Sequence, residues 1–421
     1  MTSPLLISAT ERRARSLTPA EQAAIASCAD FWRLADAGYL SYRRTGLHSH
    51  EIVGHRFVGR ARLGDLEFEI REKVEGTLLS LVTAITGADL RIEAAESPGS
   101  ALDAVSRHLL REFTRAAGTY VANRRLPRYD YVDATGPVLG GTLDMPRTMR
   151  RHATGHLGTF AFRHGTVVRD EPLDRLVLAG LDELDRAALA LRIDATTLFD
   201  ARWLAGALAE VRDEAFVSTH LDRFLEVAAA LESAPTTSRE DVDLCRLATV
   251  ALLHRGFALR GEGSNDVPRA WFVNLETLFE EAVRQTLGEL LPTEIVDRGA
   301  SYERRMFIGG QARGRTNPDL VIHHQGSVQA VGDVKYKARR GSGPGSDDGR
   351  GLAGRSDLYQ VLIHAASLHA DHAFLVYAAD EAYRSHYLGI SVTDTRTWAV
   401  EVRPTHLRDD LRRFLREFDW S

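Results

Sequence analysis

Residues 317–337 read NPDLVIHHQGSVQAVGDVKYK and hold two of the chain's three lysines, Lys335 and Lys337; the third is Lys73, against 50 arginines. A sequence that writes nearly every positive charge as arginine has a chemical reason to keep lysine here. An ammonium is a compact point charge whose pKa moves on burial, whereas a guanidinium stays protonated and planar. The apolar pairs Val321-Ile322 and Val328-Ala330-Val331 on either side of Gln325-Gly326-Ser327 predict a hairpin turning near Gly326. If that turn is symmetric, Asp319 and Asp333 stand opposite each other, about 5 Å apart. Two carboxylates that close repel unless a proton or a cation intervenes. A hard ion such as Mg²⁺ resolves the conflict, since it takes a few carboxylates together with water and phosphate oxygens. Lys335, two residues after Asp333, shares its face by strand alternation. An isolated Asp-x-Lys is ordinarily a solvated strand pair. The scarcity of lysine and the upstream Pro318-Asp319 weigh here toward a metal-dependent site.

The surrounding charge fits a phosphate-bearing substrate. Residues 301–340 hold eight Arg or Lys against three Asp or Glu, and two of those acids are Asp319 and Asp333. Arg304, Arg305, Arg313, Arg315, Lys337, Arg339 and Arg340 are candidate phosphate contacts. The whole chain is nevertheless acidic, with a net charge of −5. Phosphate neutralisation supplies most non-specific affinity for nucleic acid, so this chain is not built to grip DNA alone. A partner is expected to deliver it.

The elements that must position these residues follow from periodicity and caps. Residues 1–17 carry arginines without period and read as a poorly ordered lead-in. Thr18-Pro19-Ala20-Glu21 is a capping box with proline at the first helical position, predicting a helix to about Ala37. HRFVGRARLGDLEFEIREKV predicts two strands, with Leu66, Phe68 and Ile70 on one face and Glu67 and Glu69 on the other. A helix near 100–117 and strand-like pieces to about 163 complete a mixed region. From Asp170 to about Arg260 leucines recur at helical spacing. RGEGSNDVPR is a hinge, and a helix is expected from about Trp271 to Leu291. Strands then alternate with helices, with strands at 298–308, 319–324, 328–336, 372–378 and 395–402 and helices at 356–369 and 406–418, while 341–356 reads as a mobile loop. The order is that of an α+β multidomain protein: a mixed β-rich N-terminal region (1–165), a helical middle (166–265) and a C-terminal α/β region (266–421).

Other chemistries are poorly served. His323-His324 and the pair His152 and His156 lack an HExxH context, and no GxSxG elbow is present. Cys28 and Cys245 are far apart, which excludes a disulfide framework and suits a reducing compartment. No lysine follows a glycine, so there is no phosphate-cradling GxxxxGK[ST] loop, and any nucleotide hydrolysis belongs to another chain. No run of about 18 apolar residues exists, and the N-terminus lacks the order of a signal peptide, so the expected location is the cytoplasm.

PDLVI…VGDVKYK resembles the PD-(D/E)xK nuclease motif, and more specifically that of the McrC family, the nuclease subunits of McrBC modification-dependent restriction systems. Further similarities run in order along the chain: FVGRARLGDLEFEIREKV (57–74), in which Glu72 stands where the family has proline; VVRDEPLDRLVLAGLDEL (167–184); VNLETLFEEAV (273–283); and SDLYQVLIHAASL (356–368). The resemblance implies a C-terminal restriction-endonuclease-like domain that cleaves DNA phosphodiesters with Mg²⁺. It implies metal coordination by Asp319, Asp333 and the Val334 carbonyl, with Lys335 orienting water and stabilising transition-state charge. Glu280 would join from the first helix. Glu276 lies one turn earlier, and periodicity does not choose between them; a surface pair of Glu280 with Arg284 is the ordinary alternative. Gln360 would face the site and Tyr359 would pack or touch DNA, while Ser356 or Asp357 reads as an N-cap. The implied partner is a McrB-like AAA+ GTPase hexamer, which alone would use GTP and whose hydrolysis the N-terminal region would stimulate. The implied substrate is modified DNA, and double-strand cleavage would need two copies to meet. Two other readings stay open: a non-catalytic adaptor with a vestigial nuclease fold, and a stand-alone repair nuclease.

Overall fold

A five-stranded sheet joins segments that lie more than two hundred residues apart. Its order is Leu5–Thr10, Leu66–Arg71, Phe57–Leu63, Ala270–Asn274 and Gly256–Phe257. The computed structural model describes residues 5–47, 49–87, 101–123, 128–168, 172–188, 195–209, 221–234, 236–253, 256–257, 270–298, 302, 304–308, 311–336, 354–379, 382–390 and 394–418. The hinge expected at 260–269 and nearly all of the loop expected at 341–356 lie outside them.

The first strand corrects the reading of residues 1–17 as a loose lead-in. Leu5–Thr10 runs parallel to Leu66–Arg71, and Ile7 and Ala9 are buried against Ile25, Phe31, Leu34 and Phe68. Only two positions point inward, too few for a period to show. The expected hairpin 57–71 is present, with Leu66, Phe68 and Ile70 buried. Glu69, expected to face solvent, is covered, and Arg60 and Arg71 satisfy it at 3.4 and 2.8 Å. Glu72, the departure from the family pattern, accepts hydrogen bonds from the Gly76 and Leu78 amides and so caps the helix Thr77–Thr86. The capping box at Thr18 and Glu21 forms, but the helix stops at Ala26 and resumes as Ala29–Asp36. Cys28 is extended between them, and its amide bonds the Ile25 carbonyl in a tight turn that a single helix to Ala37 would not allow.

The helical middle comprises Pro172–Ala188, Ala195–Ala207, Leu221–Ser233 and Arg239–Leu253. These pack with Ala101–Asn123 and Thr77–Thr86 around a core that continues without interruption into the C-terminal region. Trp271-Phe272-Val273 was expected to open a helix. It is a strand instead, paired with Phe57–Leu63, and the helix Leu275–Leu290 starts where Asn274 Oδ1 accepts from the Glu276 amide at 3.0 Å. A short aromatic and β-branched run cannot be assigned by periodicity alone. The strand lies C-terminal to the expected boundary at 265/266, while its hydrogen bonds are to the N-terminal sheet.

The C-terminal sheet is mixed, as expected. Its order is Ile295–Arg298, Leu320–His324, Ser327–Lys335, His372–Ala378, Arg396–Val402 and Arg384–Ile390, with the third, fourth and fifth strands parallel. Helices Leu275–Leu290 and Leu407–Glu417 cover one face, and Arg355–Leu368 covers the other. A hairpin of Arg304–Ile308 and Gln311–Thr316 replaces the single strand expected at 298–308 and lies beside the helix Arg355–Leu368. Among the described residues no helix is long and apolar enough to cross a membrane.

Candidate active site

The turn between the two central strands sets the site. Gln325 and Gly326 both have positive φ, 51° and 84°, the backbone of a two-residue type I′ hairpin turn in which glycine is favoured. Such a turn pairs His324 with Ser327 and His323 with Val328, and continued evenly it would set Asp319 against Gly332. A bulge adds one residue, Gln329, so that Ile322 pairs with Ala330 and Leu320 with Gly332. Asp319, the next residue out, then meets Asp333. The register expected from a turn symmetric about Gly326 is thus reached through a tighter turn plus a bulge.

Asp319 is partly exposed at the mouth, and its Oδ2 accepts from the Val334 amide at 2.7 Å. Asp333 lies at the bottom with no exposure. Lys335 Nζ is 2.7 Å from Asp333 Oδ2 and 3.7 Å from Asp319 Oδ2, while Asp333 Oδ1 accepts no hydrogen bond among the described residues. Burial, then the Asp333 and Glu280 charges, hold the Asp319 carboxyl far above its usual range. Glu280 is held up in the same way, by burial and by the Glu276 and Asp333 charges, against the pull of Lys335. Burial disfavours the Lys335 ammonium, but Asp319 and Asp333 more than offset it and raise its pKa. Fully ionised, three carboxylates against one ammonium would leave two negative charges, the deficit that one divalent cation would fill.

Of the four glutamates on the helix Leu275–Leu290, Glu289 pairs with Arg246 and Arg408, and the other three have different fates. Glu276 is held by Arg12 at 2.5 Å and Arg56 at 2.8 Å, away from the cluster. Glu281 is buried against Arg284 at 2.6 Å and against Arg298. Arg284 also meets Glu232 at 3.2 Å, so the surface pair of Glu280 with Arg284 is not what forms. Glu280 alone is left in electrostatic reach of Lys335 and Asp333.

On the helix Arg355–Leu368, Gly354 occupies the N-cap, and neither Ser356 nor Asp357 caps it. Asp357 is instead buried and accepts from the Tyr377 hydroxyl at 3.0 Å. Tyr359 and Gln360 are exposed, flanking the buried stripe of Asp357, Val361 and His364. His364, which the sequence reading passed over, is the residue of this helix in electrostatic contact with Asp333 and Lys335. Its signal was its place one turn after Gln360 in an apolar stripe. Arg304, Arg305, Arg313 and Arg315 fall on the adjacent hairpin. Lys337, Arg339 and Arg340 lie outside the described residues. The tempting histidines are occupied elsewhere: His323 and His324 approach Asp297 and Glu294, and His152 bonds the Thr159 carbonyl. Among the described residues no three His, Cys, Asp or Glu side chains already form a metal cage.

Fold and site together define a mixed α/β protein whose C-terminal sheet presents opposed aspartates with a lysine between them. The family model for the McrBC 5-methylcytosine restriction system component matches residues 55–378, more than half of the chain, and the chain belongs to that family. Two solved structures from Thermococcus gammatolerans are similar to it. One is the refined half-complex from a tetradecameric assembly of McrB AAA+ hexamers with bound McrC, in which a chain aligns at 15% identity with a TM-score of 0.45, over 98% of this chain and 99% of that one. The other is the cryo-EM structure of the McrBC complex, at 17% identity and a TM-score of 0.36, over 68% of this chain and 88% of that one. No curated protein matches the sequence.

Proposed function

We propose that this chain is the Mg²⁺-dependent DNA endonuclease subunit of a McrBC-like restriction system in the cytoplasm. In this reading residues 266–421 form a PD-(D/E)xK nuclease domain. Residues 1–165 and the helical middle, 166–265, dock on a McrB-type AAA+ GTPase and stimulate its GTP hydrolysis. The observation that carries the reading is the opposed pair Asp319 and Asp333 with Lys335 Nζ 3.7 and 2.7 Å from their respective carboxylates. Family membership supports the restriction system, and the lack of a nucleotide-cradling loop supports a separate GTPase.

The residues suit Mg²⁺. Asp333 Oδ1 is a buried acceptor with no partner among the described residues, Asp319 and Glu280 lie in its electrostatic reach, and the cluster when fully ionised is two charges short. Asp319, Asp333, Glu280 and the Val334 carbonyl would hold the ion, with water and phosphate oxygens completing an octahedron that protein groups alone do not supply. Bound there, Mg²⁺ supplies Lewis acidity and lowers the pKa of a bound water. Lys335 stays an ammonium between two carboxylates, so it orients water and stabilises phosphoryl charge rather than abstracting a proton. Its compact head fits between aspartates only 2.7 and 3.7 Å away, where a guanidinium fork would not. Asp319, fixed by the Val334 amide, keeps the mouth of the site in register with its floor.

The test is DNA cleavage by wild type, Asp333→Ala and Lys335→Ala, with and without a McrB-type GTPase and GTP, on modified and unmodified DNA. Cleavage that needs partner and GTP, and that falls at least roughly 10²–10³-fold in both variants, is the expected result. Cutting without the partner would establish a stand-alone nuclease instead. A wild type that never cuts yet accelerates the partner's GTPase would establish the adaptor.

A further inference from the structure

His364 is buried, 4% exposed, with no hydrogen-bond partner at Nδ1 or Nε2 among the described residues. It sits on the helix Arg355–Leu368, beside Val361, Ala365 and Leu368, which pack on the sheet face formed by Val331, Leu375 and Tyr377. Strand alternation puts Asp333 and Lys335 on that same face, paired with Leu375 and Tyr377 in the parallel neighbour. Asp333 Oδ1 is the matching orphan: a fully buried acceptor with no hydrogen-bond partner among the described residues. A buried polar group left without its hydrogen bond destabilises the fold, and here a donor and an acceptor are both so placed in one electrostatic neighbourhood. His55, by contrast, has both ring nitrogens paired, with the Ser41 hydroxyl at 2.8 Å and the Gly38 carbonyl at 2.7 Å.

We propose that His364 is a positioning residue of the nuclease site, donating a ring N–H, directly or through one water, to the Asp333 carboxylate. A neutral imidazole offers one donor and one acceptor. The donor would fix the rotation of Asp333, and the acceptor would take a hydrogen bond from water or from Lys335. Carboxylates that ligate metals are themselves commonly held by such outer hydrogen bonds, and losing one costs about 10–100-fold in metal affinity or activity. The inference rests on the nuclease reading above and adds to it a residue that acts through Asp333.

The test measures Mn²⁺ binding by calorimetry, cleavage against Mg²⁺ concentration, and thermal midpoint. The proteins are wild type, His364→Leu, His364→Gln and the control Asp333→Asn. Expected are Mn²⁺ binding by wild type that Asp333→Asn abolishes, and binding weakened roughly 10–100-fold in His364→Leu. Cleavage by His364→Leu should need correspondingly more Mg²⁺, and the thermal midpoint should hold or rise. His364→Gln, which keeps an N–H donor, should recover most of the loss. Unchanged Mn²⁺ binding in His364→Leu overturns the role of His364 and leaves the nuclease site standing. Equal losses in the leucine and glutamine variants with a lower thermal midpoint mean packing, and overturn it too. If wild type binds no Mn²⁺ that depends on Asp333, the nuclease reading and this inference fall together.

Discussion

Two clusters of buried charge meet on the helix Leu275–Leu290, and they are finished differently. Around Glu281 the charges balance: Glu232 and Glu281 face Arg284 and Arg298, with Gln285 donating to Glu281. There burial raises the Glu281 pKa less than the Arg284 and Arg298 charges lower it, and it ends at about 2. Around Glu280, one residue away, three carboxylates share one ammonium, and burial pushes Glu280 and Asp319 upward. Guanidinium groups close the first cluster because their planar fork saturates carboxylate lone pairs. A lysine in the second leaves lone pairs open. The arginine-rich sequence therefore spends its guanidinium groups on architecture and keeps an ammonium where something must still bind.

The contrast makes reciprocal demands. Asp333→Asn should reduce cleavage to background while raising stability by about 1–3 kcal/mol, since it removes the charge that repels Asp319 and Glu280. Glu281→Gln should do the reverse, costing about 3–5 kcal/mol because Arg284 and Arg298 lose their shared partner, with cleavage per folded molecule retained. Chemical unfolding and single-turnover cleavage on both variants decide it. A destabilised Asp333→Asn would mean that the two clusters are alike.

A smaller effect concerns Glu11, buried where the N-terminal strand meets the C-terminal region, with the Tyr336 hydroxyl donating to it at 3.3 Å. Burial raises its pKa to about 7, against the pull of Arg12, the Tyr336 hydrogen bond and Lys73. A raised carboxylate contributes stability that is whole below its unfolded pKa, near 4.5, and lost as pH climbs through the folded value, near 7. Unfolding free energy should therefore decline between pH 5 and 8 by up to about 3 kcal/mol from this group, and Glu11→Gln should flatten that slope. A slope unchanged by the substitution would place the titration elsewhere. Smallest is the half-exposed bridge of Arg12 to Glu276. Arg12→Ala and Glu276→Gln should each cost about 1 kcal/mol, and together less than the sum of the two in a double-mutant cycle, since each also has a second partner in Glu11 or Arg56. Full additivity would show that the bridge is not a unit.

Local pattern made much of this legible. The strands about Gly326 and the helix Arg355–Leu368 were readable because each is a regular run bounded by glycine. The meeting of Asp319 and Asp333 was readable too, although the bulge at Gln329 that produces it leaves no mark in a composition of small and apolar residues. What escaped is non-local. Glu232 lies 49 residues from Glu281, and Arg12 lies 264 from Glu276, so no window shows that three of the four helix glutamates are already taken. His364 escaped because a histidine in an apolar stripe looks like packing until its nitrogens are seen without partners. Trp271 to Val273 was misread because a partner strand some two hundred residues upstream decides between helix and strand there.

That strand bears on inheritance. Ala270–Asn274 takes its hydrogen bonds from Phe57–Leu63, and its last residue caps the helix that carries Glu280. The fit is close: a Cβ on Gly59 would stand 2.1 Å from the Trp271 carbonyl. A gene crossover that exchanged the N-terminal half would have to bring a strand of the same register with the same missing side chain. Most would not, and the incoming half would push against the root of the helix rather than seat it. The two halves can diverge in what they touch, but along this seam they must be handed down together.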